Sequence, residues 1–369
     1  MPRFEKRFFA NLDWILLFAT ILICGAGIGI LSSAGFNPNL GYSPAVTRQA
    51  ASMGLGFGAL LFFMFVNPSV WKRSAFIIYT AACILLALVL VIGVSGGGAK
   101  RWIILAGIRV QPSEFMKLAL IFAVAKICSS DSAPRTGYSF TTLWLPALIV
   151  FIPFMLTLQE PDLGTALSQA LVGGSIIYLF GVQRKTFVRL AVMGVVGLVP
   201  FWFTLKEYQR LRVLNFLSPE RDPLGTGYHA IQSKIAVGSG QLLGKGYMQG
   251  TQTQLRFLPE QTTDFIFSVL AEEWGFIGTC AVLFLYALII FRLFRITSRC
   301  QDKFSSFVCF GVAAMLFWHM LINIGMVIGI LPVVGITLPM LSFGGSSIVT
   351  LLSGIGIALG VSSRRFAFA

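Results

Sequence analysis

Uninterrupted apolar runs of membrane-spanning length recur along the whole chain. The first extends from Trp14 to about Ala34, and comparable runs follow at short intervals as far as the C-terminal region. A helix needs roughly 20 mostly apolar residues to cross about 30 Å of hydrocarbon, and the runs are of about that length. Hydrophobic residues make up 56% of the 369 positions and charged residues only 11%, more apolar surface than one water-soluble core could bury. The sequence therefore predicts an all-α integral membrane protein.

Polar breaks divide the chain into about ten predicted transmembrane helices. They cover approximately residues 14–34, 50–66, 75–94, 112–128, 143–158, 166–182, 187–205, 265–294, 306–330 and 340–361. We expect one polytopic membrane domain over residues 1–369, with a long extracytoplasmic loop, residues 206–263, between spans seven and eight. Within that loop Ile231, Ile235 and Ala236 stand at helical spacing, which favours a helix on the membrane surface or packed on the bundle.

The distribution of charge predicts the orientation. With a cytoplasmic N-terminus, the inner segments hold sixteen of the 28 Lys and Arg residues but only four of the 14 Asp and Glu residues. The positive-inside rule then places both termini in the cytoplasm. The net charge of +14 could suggest nucleic acid, but the basic residues are scattered between apolar runs and form no polar stripe, so we expect no nucleic-acid partner.

Ionisable residues inside the predicted spans mark candidate functional positions, because burying charge in a bilayer costs several kcal/mol. Glu114 and Lys117 stand three residues apart at the start of the fourth span, on one helical face, and can form an ion pair. The pair either only neutralises itself or serves a ligand. Arg101, Arg109 and Gln111 lie just before it, and so many cations suit an anionic ligand.

Asp264 lies where the long loop enters the eighth span, and Asp162 lies in a polar turn between two other spans. Each has a structural alternative, Asp264 as a helix N-cap and Asp162 as a turn or capping residue. Glu272 and Glu273 follow within the eighth span, rotated about 80° and 180° from Asp264. The three cannot all face one cavity, so we expect one or both glutamates to be structural.

Several kinds of site are not indicated. His229 and His319 are the only histidines and are far apart in sequence, so no metal site is assigned. The run from Gly238 to Gly246 resembles a phosphate-binding loop, but Lys245 is followed by Gly where that loop has Ser or Thr. ATP-driven transport by this chain alone is therefore excluded.

Seven motifs, distributed from the segment after the third predicted span to the last span, indicate a family. They are Lys100-Arg101-Trp102, Gln111-Pro112-Ser113-Glu114-Phe115-Met116-Lys117, Pro161-Asp162-Leu163-Gly164-Thr165, Phe257-Leu258-Pro259-Glu260, Thr263-Asp264-Phe265-Ile266-Phe267, Ala271-Glu272-Glu273 and Gly344-Gly345-Ser346. In this order they resemble the SEDS family of shape, elongation, division and sporulation proteins. The stretches from Asp222 to Lys234 and from Gly250 to Leu255 are more similar to RodA, the elongation member, than to FtsW, the division member.

The resemblance implies a peptidoglycan glycosyltransferase in the bacterial plasma membrane that polymerises lipid II, together with a class B penicillin-binding protein. The family's catalytic aspartate corresponds to Asp264, the expected general base. The departing pyrophosphate needs positive charge. Candidates are Arg101, Lys117, Arg210, Arg212 and Lys234, and Glu114 and Asp162 complete the predicted substrate-binding set. A divalent cation such as Mg²⁺ or Mn²⁺ could assist, although the sequence does not locate one.

Two other functions fit the same residues. A flippase that moves lipid II across the bilayer would also need a polar cavity, but it must open that cavity to both leaflets, whereas these charges gather on the predicted outer side. A non-catalytic scaffold for the transpeptidase would leave the embedded charges without a purpose.

Overall fold

The computed structural model describes residues 10–37, 41–96, 99–105, 108–130, 134, 136–204, 207, 210–211, 214, 216, 226–258 and 260–364. Helices dominate these residues. Their bounds are α1 Trp14–Ala34, α2 Pro44–Phe65, α3 Pro68–Ile92, α4 Pro112–Cys128, α5 Trp144–Gln159, α6 Leu163–Phe180, α7 Arg184–Thr204, α8 Thr226–Ser239, α9 Thr251–Gln254, α10 Ile266–Arg299, α11 Lys303–Val327 and α12 Gly345–Arg364.

Long apolar helices give the molecule the architecture of a multi-pass membrane protein. Among the described residues, seven helices are long and apolar enough to cross a membrane, namely α1, α2, α3, α6, α10, α11 and α12. Helix α5 is apolar but has only 16 residues. Together with α4 and α7, these helices overlap all the runs that the sequence marks as spans.

Several helices begin earlier than their apolar runs, because polar capping residues set their first turns. Ser43 caps α2 and Asn67 caps α3, each followed by a proline in the first turn. Asp302 likewise accepts a hydrogen bond from Ser305 N at the start of α11. Such side chains satisfy N–H groups that have no partner within the helix. The predicted starts of these three helices therefore lie up to about two turns after the observed starts.

The chain is mostly helical, as predicted, but it also contains two short antiparallel sheets that were not predicted. Strands β1 (Phe36–Asn37) and β2 (Gly41–Tyr42) form a hairpin. Strands β3 (Val94–Gly96), β4 (Ala99–Leu105) and β5 (Ile108–Val110) form a three-stranded sheet between α3 and α4. Branched and aromatic residues are frequent in this second segment, and they favour extended structure. The sheet places Arg101 beside the start of α4.

Helix α4 lies at the centre of the bundle. It packs against α3, α5, α6, α11 and α12, and its side chains from Met116 to Ala125 are all buried. The neighbouring pair α2 and α12 approaches closely through glycines: a Cβ on Gly356 would lie 2.3 Å from Leu60 O, and one on Gly360 2.4 Å from Met64 O. Small residues of this kind allow membrane helices to pack backbone against backbone.

The segment before α10 folds against the bundle, which confirms the predicted helix there. Helix α8 packs on α10 and α11, and the Ser233 hydroxyl donates to Val327 O at 2.7 Å. Residues 240–246 then run beside a break in α10 at Gly275, where φ is +63°. Phe276 N donates to Gln241 O, and Lys245 N donates to Glu272 O. The loop thereby satisfies main-chain groups that the broken helix leaves unpaired.

Candidate functional site

Asp264 is half-buried in the turn that leads into α10. Its main-chain N donates to Glu260 O at 3.1 Å. The helix N-cap is Phe265, and it makes no side-chain capping bond. The N-cap position that the sequence allowed for Asp264 is therefore occupied by Phe265.

Two side chains from other elements hold the Asp264 turn in place. Asn323 on α11 is fully buried, and its Nδ2 donates to Asp264 O at 2.9 Å and to Ile336 O at 2.7 Å. Ser342 donates to Thr263 O and accepts from Leu338 N. The segment between α11 and α12, residues 328–344, therefore packs directly on the turn that carries the predicted base.

Gly335 in that segment lies next to the Asp264 carboxylate. A Cβ on Gly335 would lie 3.3 Å from Asp264 Oδ2, and the residue has a φ of +77°. Positive φ is favourable for glycine and strained for other residues. The glycine therefore allows the backbone to approach Asp264 closely.

A second group of polar residues surrounds Asp162. Asp162 Oδ2 lies 3.4 Å from Arg101 Nη1 and accepts a bond from Gln111 Nε2 at 3.2 Å, while Oδ1 accepts from Thr165 N at 3.1 Å. The capping role that the sequence allowed is confirmed, and the same carboxylate also binds a cation. The Arg101 Nε is buried and has no hydrogen-bond partner among the described residues, so this guanidinium retains an unused donor.

Glu160 lies two residues before Asp162 and is 1% exposed. Neither of its carboxylate oxygens has a hydrogen-bond partner within the described part of the chain. The pKa of Glu160 is raised to about 8, mainly by burial and also by the charge of Asp162, while the nearby Arg101 acts in the opposite direction. A buried carboxyl with no donor is most stable in its neutral form. Glu160 was not among the predicted site residues.

The pair on α4 forms as predicted, and a third residue joins it. Lys117 Nζ lies 2.7 Å from Glu114 Oε1, and the two side chains are 1% and 9% exposed. His319 Nε2 on α11 lies 3.0 Å from the same ammonium. Because an ammonium has only donors, Nε2 is the acceptor and the imidazole proton is on Nδ1. These three residues line a narrow cavity with Ser347 and Thr350 of α12.

The parts of the site are joined by short contacts. The Ser346 hydroxyl at the start of α12 accepts from Gln111 N at 3.0 Å. On the other side, a Cβ on Gly164, two residues after Asp162, would lie 2.8 Å from Val334 O, directly before Gly335. The 328–344 segment therefore contacts the Asp264 turn and the start of α6, and the chain continues from it to Ser346. The structure brings Asp264, Asp162, Arg101, Glu114 and Lys117 around this segment.

Other residues predicted to bind substrate lie elsewhere. Arg210 donates from Nε and Nη2 to Trp202 O and Phe203 O at the end of α7, at 3.0 and 2.6 Å. Lys234 on α8 is exposed and lies against Gly329, just beyond the C-terminus of α11. Arg212 lies outside the described residues. Substrate binding by Arg210, Arg212 and Lys234 stays a prediction.

Glu272 has the structural role that was expected of one of the two glutamates. Its fully buried carboxylate accepts from Lys245 Nζ at 2.8 Å, from Gln252 N at 2.9 Å and from Thr253 N at 3.1 Å. Glu273 points in another direction and accepts from Ser33 of α1. The helical angles predicted that these acids would diverge from Asp264, but not which segments they would bind.

No metal-binding cluster of three or more His, Cys, Asp or Glu side chains occurs in the part of the chain that the structure describes. The divalent cation that the sequence left open therefore stays a prediction without a located site. Asn323 and His319 were not predicted as members of the site. The only signal for them in the sequence was that two polar residues lie four positions apart, on one helical face, within an apolar run.

Comparison with known proteins agrees with the motifs. Residues 11–366 match the family model FTSW_RODA_SPOVE, described as cell cycle protein. The chain is 39% identical to the peptidoglycan glycosyltransferase MrdB of Escherichia coli K12 over 353 residues, which cover 95% of this chain and 93% of MrdB.

Solved structures are similar over almost the whole chain. A chain from a structure titled "Structural coordination of polymerization and crosslinking by a peptidoglycan synthase complex" superposes with a TM-score of 0.81 at 34% identity, covering 96% of this chain and 98% of that one. The rod shape determining protein RodA of Thermus thermophilus superposes with a TM-score of 0.70 at 30% identity, with the same coverage.

Proposed function

The chain belongs to the FtsW, RodA and SpoVE family of cell cycle proteins, and from this premise we propose that it is a peptidoglycan glycosyltransferase. Its reaction is the polymerisation of lipid II into glycan strands during cell-wall elongation. The position of Asp264 is the structural observation that supports this proposal most directly. This acid lies at the entrance of α10, against the same 328–344 segment that adjoins the Arg101–Asp162 group and the start of α12.

The chemistry assigns a role to each group. The 4-hydroxyl of an acceptor sugar attacks the anomeric carbon of the donor, and Asp264 accepts the hydroxyl proton as general base. The bond from that carbon to the pyrophosphate oxygen breaks, and the pyrophosphate leaves as an anion. Arg101, whose side chain is 26% exposed, and Lys117 stabilise the developing negative charge. One displacement inverts the anomeric centre without a covalent intermediate.

The membrane arrangement belongs to the same proposal. Ten helices, α1 to α7 and α10 to α12, cross the plasma membrane, and both termini lie in the cytoplasm. The segment from residue 206 to 263 is then extracytoplasmic, and Asp264 lies at the outer surface, where lipid II is polymerised. The distribution of Lys and Arg supports this orientation. The partner is a class B penicillin-binding protein, which crosslinks the strands; the similarity to a chain of a peptidoglycan synthase complex supports it.

The test is polymer synthesis from labelled lipid II by the purified chain, with and without its cognate transpeptidase. Wild type should produce glycan polymer, and Asp264→Asn should reduce the rate by about 10²-fold or more, because it removes the base with little change in shape. Asp302→Asn is the matched control, since it alters an acid that caps α11 at the opposite end of the helix from Asn323.

Two outcomes would overturn the proposal. Equal rates for wild type and Asp264→Asn would remove Asp264 from the chemistry. If wild type makes no polymer with or without the partner but moves labelled lipid II across vesicle membranes, the chain is a flippase instead.

A further inference from the structure

Helix α11 contacts both the predicted base and the buried ammonium of the site. Asn323 binds the turn that carries Asp264, and His319 binds Lys117. The two residues are four positions apart, which corresponds to about 6 Å along the helix axis and about 40° around it. One face of one helix therefore contacts the two groups that glycosyl transfer would need at a fixed separation.

The contact of Asn323 has only one chemically consistent orientation. Both of its partners, Asp264 O and Ile336 O, are carbonyl oxygens, so the side-chain NH₂ must donate to both. Because Asn323 is fully buried, a hydrocarbon side chain in its place would leave two carbonyls without these donors. The Asp264 turn and the stretch around Gly335 would then lose their shared attachment to α11.

His319 limits the position of the Lys117 ammonium. The lysine side chain is long and flexible, and Glu114, on the same helix, lies to one side of it. The imidazole approaches from a different helix and is 5% exposed. Two acceptors on separate helices fix a terminal nitrogen more narrowly than one acceptor does. The remaining N–H is then available to the cavity beside Ser347 and Thr350.

We propose that His319 and Asn323 are positioning residues, through which α11 sets the distance between the ammonium that holds the pyrophosphate and the base that accepts the proton. The inference rests on the proposed function and adds two residues to it. The two contacts should therefore affect different kinetic properties. Loss of the His319 contact weakens binding of the anionic group, whereas loss of the Asn323 contacts slows the chemical step.

The experiment compares His319→Leu and Asn323→Leu in the full chain with its transpeptidase. For His319→Leu we expect the dissociation constant of undecaprenyl pyrophosphate and the KM for lipid II to rise about 10-fold, while His319→Gln, which restores an acceptor, stays within about 3-fold of wild type. For Asn323→Leu we expect kcat to fall about 10- to 100-fold with KM nearly unchanged, because small displacements of a catalytic group are costly.

Controls separate positioning from folding. Val312→Ala alters a fully buried residue of α11 two turns before His319, and it should leave KM and kcat within about 3-fold of wild type. Thermal unfolding in detergent identifies variants that are not folded. If a leucine variant is not folded, the alanine variant of the same residue, His319→Ala or Asn323→Ala, replaces it.

The results distinguish this inference from the proposed function. If wild type polymerises lipid II and both leucine variants match it, α11 has no positioning role while the glycosyltransferase stands. If kcat and binding fall together in both variants and in Val312→Ala, the effect is general loss of structure and the inference is wrong. If wild type makes no polymer, the glycosyltransferase fails, and the undecaprenyl pyrophosphate measurement on His319→Leu and His319→Gln still decides the role of His319.

Discussion

Replacement of the buried ion pair on α4 separates its structural role from its functional role. Lys117 Nζ and Glu114 Oε1 are 2.7 Å apart, and the lysine side chain is 1% exposed. Removing one partner leaves an uncompensated buried charge, which costs about 3–5 kcal/mol, whereas removing both is often nearly neutral. In Glu114→Gln the ammonium still has His319 as an acceptor, so we expect the loss of stability to be near the lower end of this range. For Lys117→Met we expect a loss near the upper end.

The assay combines thermal unfolding in detergent with polymerisation of lipid II. The single variants should lower the Tm by about 5–10 °C, and the double variant Glu114→Gln/Lys117→Met should recover most of that loss. Polymerisation should stay at least about 10-fold below wild type in the double variant, because the cation proposed to stabilise the pyrophosphate is absent. Lys126→Met, at the other end of α4, removes a partly exposed lysine and should change neither quantity appreciably. A double variant that polymerises at the wild-type rate would show that the pair only neutralises itself.

Three further predictions concern other parts of the site. Gly335→Ala should lower kcat by about 10-fold or more with a small change in Tm, because its Cβ would lie 3.3 Å from Asp264 Oδ2 and the backbone φ is +77°. An unchanged kcat would contradict the close approach of Gly335 to the Asp264 carboxylate. The pKa of Glu160 is raised from 4.5 to about 8, so the folded state binds a proton more strongly than the unfolded state, and stability should fall as pH rises from about 4.5 to 8. Over this pH range the Tm of Glu160→Gln should fall less than that of wild type. Parallel plots of Tm against pH for the two proteins would refute the raised pKa of Glu160. Glu272→Gln should lower the Tm by several degrees, because an amide cannot accept all the bonds from residues 245–253, and limited proteolysis should detect a loosened loop.

Contacts between neighbours in sequence were predictable. Apolar runs located the helices, and the spacing of Glu114 and Lys117 predicted their ion pair, since residues three apart share a helical face. The helix around Ile231 and Ala236 was predicted in the same way. The exact helix starts were not predictable, because capping depends on polar residues that run-length arguments leave out. The short sheets were not, because strands of two to seven residues are too short to appear as apolar runs of membrane-spanning length.

Contacts between distant segments were not predictable from one sequence. The partner of Lys117 at His319 is 202 residues away, and the partner of Asn323 at Asp264 is 59 residues away. Periodicity within one helix carries no information on which residue of another helix it will face. The pairing of residues 240–246 with the break at Gly275 is of the same kind, because it depends on a loop returning to a helix.

The two acids of α10 and its entrance turn illustrate how the structure distinguishes a structural carboxylate from a candidate catalyst. Glu272 is fully buried, and its two oxygens accept bonds from a lysine, hydroxyls and main-chain N–H groups of residues 245–253. A proton transferred to it would break these bonds, so it is a poor base. Asp264 is only half-buried, and its main-chain O and N are bound to Asn323 and Glu260. These main-chain bonds need not change when the carboxylate accepts a proton, as general-base catalysis at this residue would require.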